Sequence, residues 1–266
     1  MSVLDGILAG VREDLERRRN QTSLAELRAR VADMPPTLDP LPGFRAPGMS
    51  IIAEVKRRSP SKGDLAEIPD PASLAAQYAE GGAAAISVLT EERRFGGSLA
   101  DLDAVRTRVP VPVLRKDFIV DPYQLWEARA HGADLALLMV VSLEGGLLEE
   151  MVGVCREAGL TPFVESHTAA ELELAAKTGE PLLGVNARDL TTLNVDRSVF
   201  RDLATRFPEG AVRVAESGVA GPQDVVEYRS WGADVVLVGE ALVRSGDPRT
   251  SVRQFIEAAA VSASAS

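Results

Sequence analysis

Ile51-Ile52-Ala53-Glu54-Val55-Lys56 is a short apolar run that carries two charges toward its C-terminal end. Its length and β-branched content suit a buried strand and fall short of a helix. Side chains alternate across a strand, so Ile52, Glu54 and Lys56 share one face. Taking charges out of water costs several kcal/mol unless they pair or serve a ligand. A buried strand ending in Glu and Lys therefore asks for a site at that end. Directly after it, Lys56-Arg57-Arg58-Ser59-Pro60-Ser61-Lys62-Gly63 is the densest basic run in the chain.

Seven further segments have the look of short buried strands: Ala84–Leu89, Val113–Lys116, Leu135–Met139, Thr161–Glu165, Leu182–Asn186, Val212–Glu216 and Val235–Gly239. With the first they make eight, spaced by roughly 20 to 35 residues, which leaves room for one crossover helix each. Gly81-Gly82, Gly132, Gly159, Gly179 and Gly232 stand where helices should end before the next strand. His131-Gly132-Ala133-Asp134, before the fourth strand, nearly repeats as Trp231-Gly232-Ala233-Asp234 before the eighth, half a barrel away. Eight β-then-α units without a break in composition predict an α/β fold, a (βα)8 TIM barrel forming a single domain. An open doubly wound sheet is the alternative; no Gly-x-Gly-x-x-Gly follows the first strand to support its dinucleotide-binding form.

Ahead of strand one, Leu4, Ile7, Leu8, Val11 and Leu15 recur at helical spacing, so residues 1–33 read as helix. Pro35, Pro36, Pro40, Pro42 and Pro47 then mark a connector without regular structure. The predicted layout is a helical extension and connector over 1–48, the barrel over 49–258, and a frayed tail over 259–266.

The 266 residues match the roughly 250 of such barrels, and a 45% hydrophobic content supplies the core. A net charge of −10 argues against nucleic acid, which needs a basic surface, and makes any basic cluster informative. The single cysteine, Cys155, has no internal disulfide partner, which points to a reducing, cytoplasmic setting. The chain opens without a basic-then-apolar leader, and Leu135–Val141, its longest apolar run, is far short of the roughly 20 residues of a membrane span. The apolar face of the N-terminal helix either covers the barrel or meets a partner, so monomer and homodimer both stay open.

Parity repeats the message of strand one. Leu114 aligns with Lys116, Phe163 with Glu165, Gly184 with Asn186, and Val214 with Glu216; each polar residue closes its strand. One such charge alone reads as a solvated loop residue, but five strands repeating the pattern inward read as a site. In a βα-barrel catalytic groups come from the C-terminal ends of several strands. Glu54, Lys56, Lys116, Glu165, Asn186 and Glu216 are therefore read as one site.

After strands seven and eight, Glu216-Ser217-Gly218 and Gly239-Glu240-Ala241 each put a glycine where backbone N–H groups can approach a phosphate, though both also suit plain tight turns. The basic run after strand one is either a solvated face or a mobile lid that attracts anions. Arg188 offers a fork for a carboxylate. His131 reads as a helix C-cap, His167 as a surface residue near the site, and Cys155 as packing. No cluster has metal-ligand spacing, and no serine elbow is present.

Several of these segments resemble one family. Ile52–Lys56 running into Arg58-Ser59-Pro60-Ser61-Lys62-Gly63 is similar to the strand-one signature of the indole-3-glycerol phosphate synthases. So are Ser87-Val88-Leu89-Thr90-Glu91 with Phe95-Gly96-Gly97-Ser98, Leu114-Arg115-Lys116-Asp117-Phe118-Ile119, and Val164-Glu165. Gly184-Val185-Asn186-Ala187-Arg188-Asp189-Leu190, Ala215-Glu216-Ser217-Gly218-Val219 and Val238-Gly239-Glu240-Ala241-Leu242 follow in the family's order. The resemblance spans about residues 1–255; Ala187 and Ser166 depart from it, standing where Ser or Asn and Val are usual.

The resemblance implies a carbon–carbon lyase of tryptophan biosynthesis that needs no cofactor and no metal. Its small phosphorylated substrate, 1-(2-carboxyphenylamino)-1-deoxyribulose 5-phosphate, closes to indole-3-glycerol phosphate with loss of carbon dioxide and water. It implies Lys116 as general acid in ring closure, Glu165 as base in dehydration, and Lys56 as an anion-holding proton donor, the division between the lysines staying open. Glu54, Asn186, Glu216 and Ser217 would orient these groups. Ser59 and Arg188 would help place the substrate, Phe95, Phe118 and Leu137 would wall the anthranilate ring, and Gly218, Gly239 and Glu240 would cradle the phosphate. The rival readings are another phosphate-binding barrel such as phosphoribosylanthranilate isomerase, which typically needs a Cys and an Asp, and a silent barrel kept as a binding partner.

Overall fold

The computed structural model describes residues 3–143, 146–244 and 246–263. Eight parallel strands close into a barrel: β1 (Ser50–Val55), β2 (Ala85–Leu89), β3 (Val113–Lys116), β4 (Leu135–Met139), β5 (Thr161–Ser166), β6 (Leu182–Asn186), β7 (Val212–Glu216) and β8 (Val235–Val238). Each pairs with its sequence neighbours, and β1 closes the ring against β8, with Ser50 beside Val235 and Ala53 beside Val238. Closure removes the open-sheet alternative. Strand ends move by a residue from their expected places: Lys56 and Gly239 fall just outside β1 and β8, and β5 runs on to Ser166.

The two faces of the strands build two separate cores. Ile52, Leu114, Leu135, Phe163, Leu182, Val214 and Leu237 fill the barrel interior. Ile51, Ala53, Val55, Val88, Val113, Val164, Val185 and Val236 pack outward against the helices. Both faces are apolar because a parallel barrel buries its strands on both sides.

The N-terminal extension corrects the single-helix expectation. Helix α1 (Val3–Gln21) ends, and Ser23 starts α2 (Leu24–Ala32) with a capping box: its hydroxyl accepts the Glu26 N–H while Glu26 accepts the Ser23 N–H. The Pro-rich connector is not wholly irregular either. Leu41–Phe44 forms one helical turn, which Pro42 tolerates because the first N–H groups of a helix lack partners anyway. Ile7 and Val11 pack with Phe118 and Leu137, while Phe44 and Leu41 join the same interior cluster beside Ala84 and Ala85, at the start of β2. The extension thus runs from the mouth to the floor, and its apolar face covers the barrel. At the other end the last helix, Pro248–Ala263, reaches past the tail expected to fray from residue 259, and Ala259 is fully buried. Residues 264–266 of that tail lie outside the described residues.

The repeated junctions make one repeated bond set. Asp134 donates its N–H to Val113 O and accepts the Val113 N–H on Oδ2; Asp234 does the same with Arg213. Each aspartate ties the start of one strand to the start of the strand before it.

Candidate active site

Register carries the polar strand ends to one level of the mouth. Glu165 lies beside Gly184, Asn186 beside Glu216, and Glu216 beside Leu237. Glu54, Glu165 and Glu216 are buried, three carboxylates inside an otherwise apolar barrel. Gly184 makes this arrangement possible: a Cβ there would sit 2.7 Å from the Phe163 ring and 2.8 Å from Glu216 Oε1. Gly239 does the same for Glu54, whose Oε1 would be 2.6 Å from an added Cβ.

Lys116 stands between two of the carboxylates. Its Nζ is 3.2 Å from Glu165 Oε2 and 3.3 Å from Glu216 Oε2. Burial alone would push the ammonium toward neutrality, but Glu165, Glu216 and Glu54 together hold its pKa above that of an ordinary lysine. The two glutamates diverge. Burial works against Glu165 ionising, yet Lys116 and His167 reverse that and hold it well below the usual carboxylate range. Glu216 is pushed well above that range by burial and by Glu165, which outweigh the Lys116 ammonium beside it. Of the two, Glu216 is the carboxyl more readily protonated and Glu165 the one more readily ionised.

Around this clamp, Asn186 Nδ2 donates to Glu165 Oε1 at 3.2 Å, and Asn186 Oδ1 accepts from Ser217 Oγ at 2.8 Å and from the Arg188 N–H at 3.0 Å. Ser217 adopts φ 70°, a left-handed backbone uncommon for a residue other than glycine, and Gly218 follows at φ 78°. The Tyr228 hydroxyl holds that turn by donating to Ser217 O at 2.9 Å. On the opposite side Lys56 Nζ lies 2.5 Å from Glu54 Oε1.

A cleft of about 670 Å³ opens over these groups, a size suited to a small substrate. Glu54, Lys56, Phe95, Lys116, Phe118, Leu137, Glu165, Asn186, Arg188, Glu216, Ser217, Gly218, Gly239 and Glu240 all line it. Phe95 and Phe118, with ring centres 6.0 Å apart, make an apolar wall. Ser59 instead lines a smaller adjoining cavity with Val3, Leu4 and Ile7 from α1.

The basic run after β1 folds into a small hairpin that pairs Arg58 with Asp64 and Ser59 with Gly63. Its charges divide. Arg57 turns away to Asp101 and Arg58 to Asp64, while Lys62 reaches across the mouth to Glu240 Oε1 at 2.7 Å. Arg244 also pairs with Glu240, at 2.9 Å, so the Glu240 carboxylate gathers two cations at the rim. Arg188 Nη1 is held by Leu193 O at 2.9 Å.

Two features of the site escape the sequence reading. His167 is not a surface residue: its ring is largely buried, with Nε2 3.2 Å from Glu165 Oε1. Arg115, on the outer face of β3, is fully buried, pairing with Asp117 at 2.8 Å and Glu127 at 2.9 Å; Arg18 of α1 pairs with the same Glu127. Asp117 in turn accepts the Phe118 N–H, so this network braces the strand end that carries Lys116. The Arg-Lys-Asp sequence was a signal for it, since parity sends Arg115 and Asp117 opposite to Lys116. His131 and Cys155 behave as expected, the first as the C-cap of helix Pro122–Ala130 and the second as a buried packing residue whose thiol pKa is raised by burial.

The architecture defines a βα-barrel with its site at the C-terminal mouth, and solved structures share it. A 3-hexulose-6-phosphate synthase from Salmonella typhimurium superposes with a TM-score of 0.66 at 19% identity over 80% of this chain and 99% of its own. A thiamine phosphate pyrophosphorylase from Pyrococcus furiosus gives 0.59 at 17% identity over 80% and 96%. At such identities the likeness is one of fold alone. Sequence goes further: the family model described as indole-3-glycerol phosphate synthase matches residues 4–255, and the chain belongs to that family. It is 60% identical to the indole-3-glycerol phosphate synthase of a Nocardioides species, over 96% of this chain and 98% of that one. Indole-3-glycerol phosphate synthase 1 of Streptomyces coelicolor is 57% identical, over 97% and 96%.

Proposed function

We propose that this chain closes 1-(2-carboxyphenylamino)-1-deoxyribulose 5-phosphate to indole-3-glycerol phosphate, releasing carbon dioxide and water in tryptophan biosynthesis. The observation that carries the site assignment is Lys116 held between Glu165 and Glu216 beside the Phe95–Phe118 wall. The wall suits an aromatic ring. Ser217-Gly218, Gly239 and the rim cations Lys62 and Arg244 suit a phosphate on the other side, in a protein whose net charge is −10. Glu240 would serve there through its backbone and through the cations its carboxylate gathers. Binding at both ends bends the chain between them toward closure.

In ring closure the ketone oxygen becomes an alkoxide, a base strong enough to take a proton even from a lysine of raised pKa, and Lys116 supplies it. Glu165, ionised, takes the proton lost from carbon in dehydration. Lys56, paired with Glu54, holds the substrate's anionic groups and donates to the departing hydroxyl. Asn186 and Ser217 orient Glu165, while Arg188 and Ser59 place the substrate. The cytoplasm is the proposed setting; a single buried cysteine supports it, and no helix among the described residues is long and apolar enough to cross a membrane. The isomerase alternative has little support, because Cys155 is buried among helix-packing residues rather than at the mouth.

The test is indole fluorescence appearing when the purified protein meets this substrate. Turnover by the wild type and a loss of about 10²- to 10⁴-fold in Lys116→Ala are expected. A folded wild type without turnover overturns the reading.

A further inference from the structure

Strand β5 does not end its contribution with Glu165. Two residues on, the His167 imidazole is only 11% exposed and meets a carboxylate at each nitrogen. Nε2 is 3.2 Å from Glu165 Oε1, and Nδ1 is 3.3 Å from Glu171 Oε2. Glu171 is itself fixed: Oε2 accepts the His167 N–H at 2.8 Å, Oε1 accepts the Thr168 hydroxyl at 3.1 Å, and its own N–H donates to that hydroxyl at 3.2 Å. These bonds cap helix Ala169–Lys177, so the ring position is set by the start of the helix.

Nδ1 is within hydrogen-bond reach of Glu171, while Nε2 faces Glu165 at ion-pair distance without a hydrogen bond; a charged ring meets both carboxylates, and a neutral one does not. We propose that His167, held as a cation between Glu165 and Glu171, is a positioning residue that keeps Glu165 ionised and its Oε2 turned toward Lys116. The groups facing Glu165 are Lys116 from β3, Glu216 from β7 and the amide of Asn186 from β6; Glu54 from β1 acts on Lys116. Those facing the imidazole are Glu165 and Glu171. Burial opposes the charged ring, but the two glutamates outweigh it and raise its pKa to about 10.

The inference rests on the proposed reaction and adds to it. When Lys116 gives up its proton in ring closure, Glu165 loses one of the two cations that flank it. His167 supplies a second positive charge that the chemistry does not consume, so Glu165 remains a base for the dehydration that follows.

With only two histidines in the chain, NMR of protein labelled at the histidine ring carbons reads this directly, His131→Gln identifying the His167 signal. The His167 signal is expected to stay at the imidazolium position through pH 9, and to titrate at least about one unit lower in Glu165→Gln. Ordinary titration in the wild type, or no change in Glu165→Gln, overturns the clamp whether or not the protein turns over substrate. Kinetically, His167→Ala should lower kcat about tenfold, leave KM within about twofold, and move the acidic limb of the kcat profile about one unit toward higher pH. His167→Gln, which returns an N–H without the charge, should recover melting temperature but not the limb. Glu171→Gln keeps a residue that can cap the helix and should lower the pH at which the His167 signal titrates, leaving the acidic limb in place because the ring is still charged there. An unmoved limb in His167→Ala and His167→Gln refutes the proposal, and an inactive wild type refutes the reaction instead.

Discussion

At the floor of the barrel Asp134 accepts the Leu38 and Val113 N–H groups, each at 2.8 Å, and an Arg106 N–H at 2.6 Å. At the mouth Glu216, equally buried, has no backbone donor and faces the Lys116 ammonium at 3.3 Å. The two carboxylates are of one chemical type in one barrel. The floor satisfies its buried charge with backbone donors and an arginine, which holds strands together; the mouth sets its carboxylates against side-chain cations that also face the cleft. Backbone conformation follows the same division, with the left-handed Ser217 at the mouth.

The largest way to break this comparison is Glu165→Gln. It should cost about 10²- to 10⁴-fold in kcat, with the melting temperature within a few degrees of wild type. Unfolding instead of inactivation would show that the mouth carries stability as well. Asp134→Ala should do the reverse, removing three bonds and about 3 kcal/mol of stability, and lowering the melting temperature by roughly 6–12 °C. Turnover per folded molecule should stay within about twofold, and a loss of kcat with intact stability would contradict the structural role. Asp234→Ala removes the Arg213 N–H partner and should cost less, about 1–2 kcal/mol by the same melting measurement. A cost equal to that of Asp134→Ala would mean the repeated junctions are equivalent despite their different partners. The smallest effect expected is from Glu216→Gln: a neutral amide replaces a carboxyl that burial and Glu165 already push toward its protonated form, so kcat should fall less than about tenfold. A loss as deep as that of Glu165→Gln would place the ionised group on Glu216.

The mouth was readable in the sequence because a barrel strand obeys one parity rule from end to end. Once Ile52 and Leu114 point inward, Glu54 and Lys116 must as well, and the structure brings them together with Glu165, Asn186 and Glu216. What escaped reading depends on contacts between elements that parity does not relate. His167 lies past the strand end, where direction is set by the cap of the next helix, so its approach to Glu165 left no periodic trace. Arg115 looks like a solvent residue until Glu127 from one helix and Asp117 from the loop surround it. The break at Ser23 was present as Ser-x-x-Glu, but apolar spacing on either side of it hid the signal. The turn at Leu41–Phe44 was obscured by prolines, which forbid helix interiors but not helix starts.

The pairing of Arg18 with Glu127 spans 109 residues of chain. At about 5–20 residues per second of synthesis, α1 leaves the ribosome roughly 5 to 20 s before its partner exists. During that interval Ile7, Val11 and Leu15 have no barrel to rest on. The element that finishes the mouth is thus made well before the residues it rests on, so newly made chains pass through a stage in which an apolar helix needs shelter.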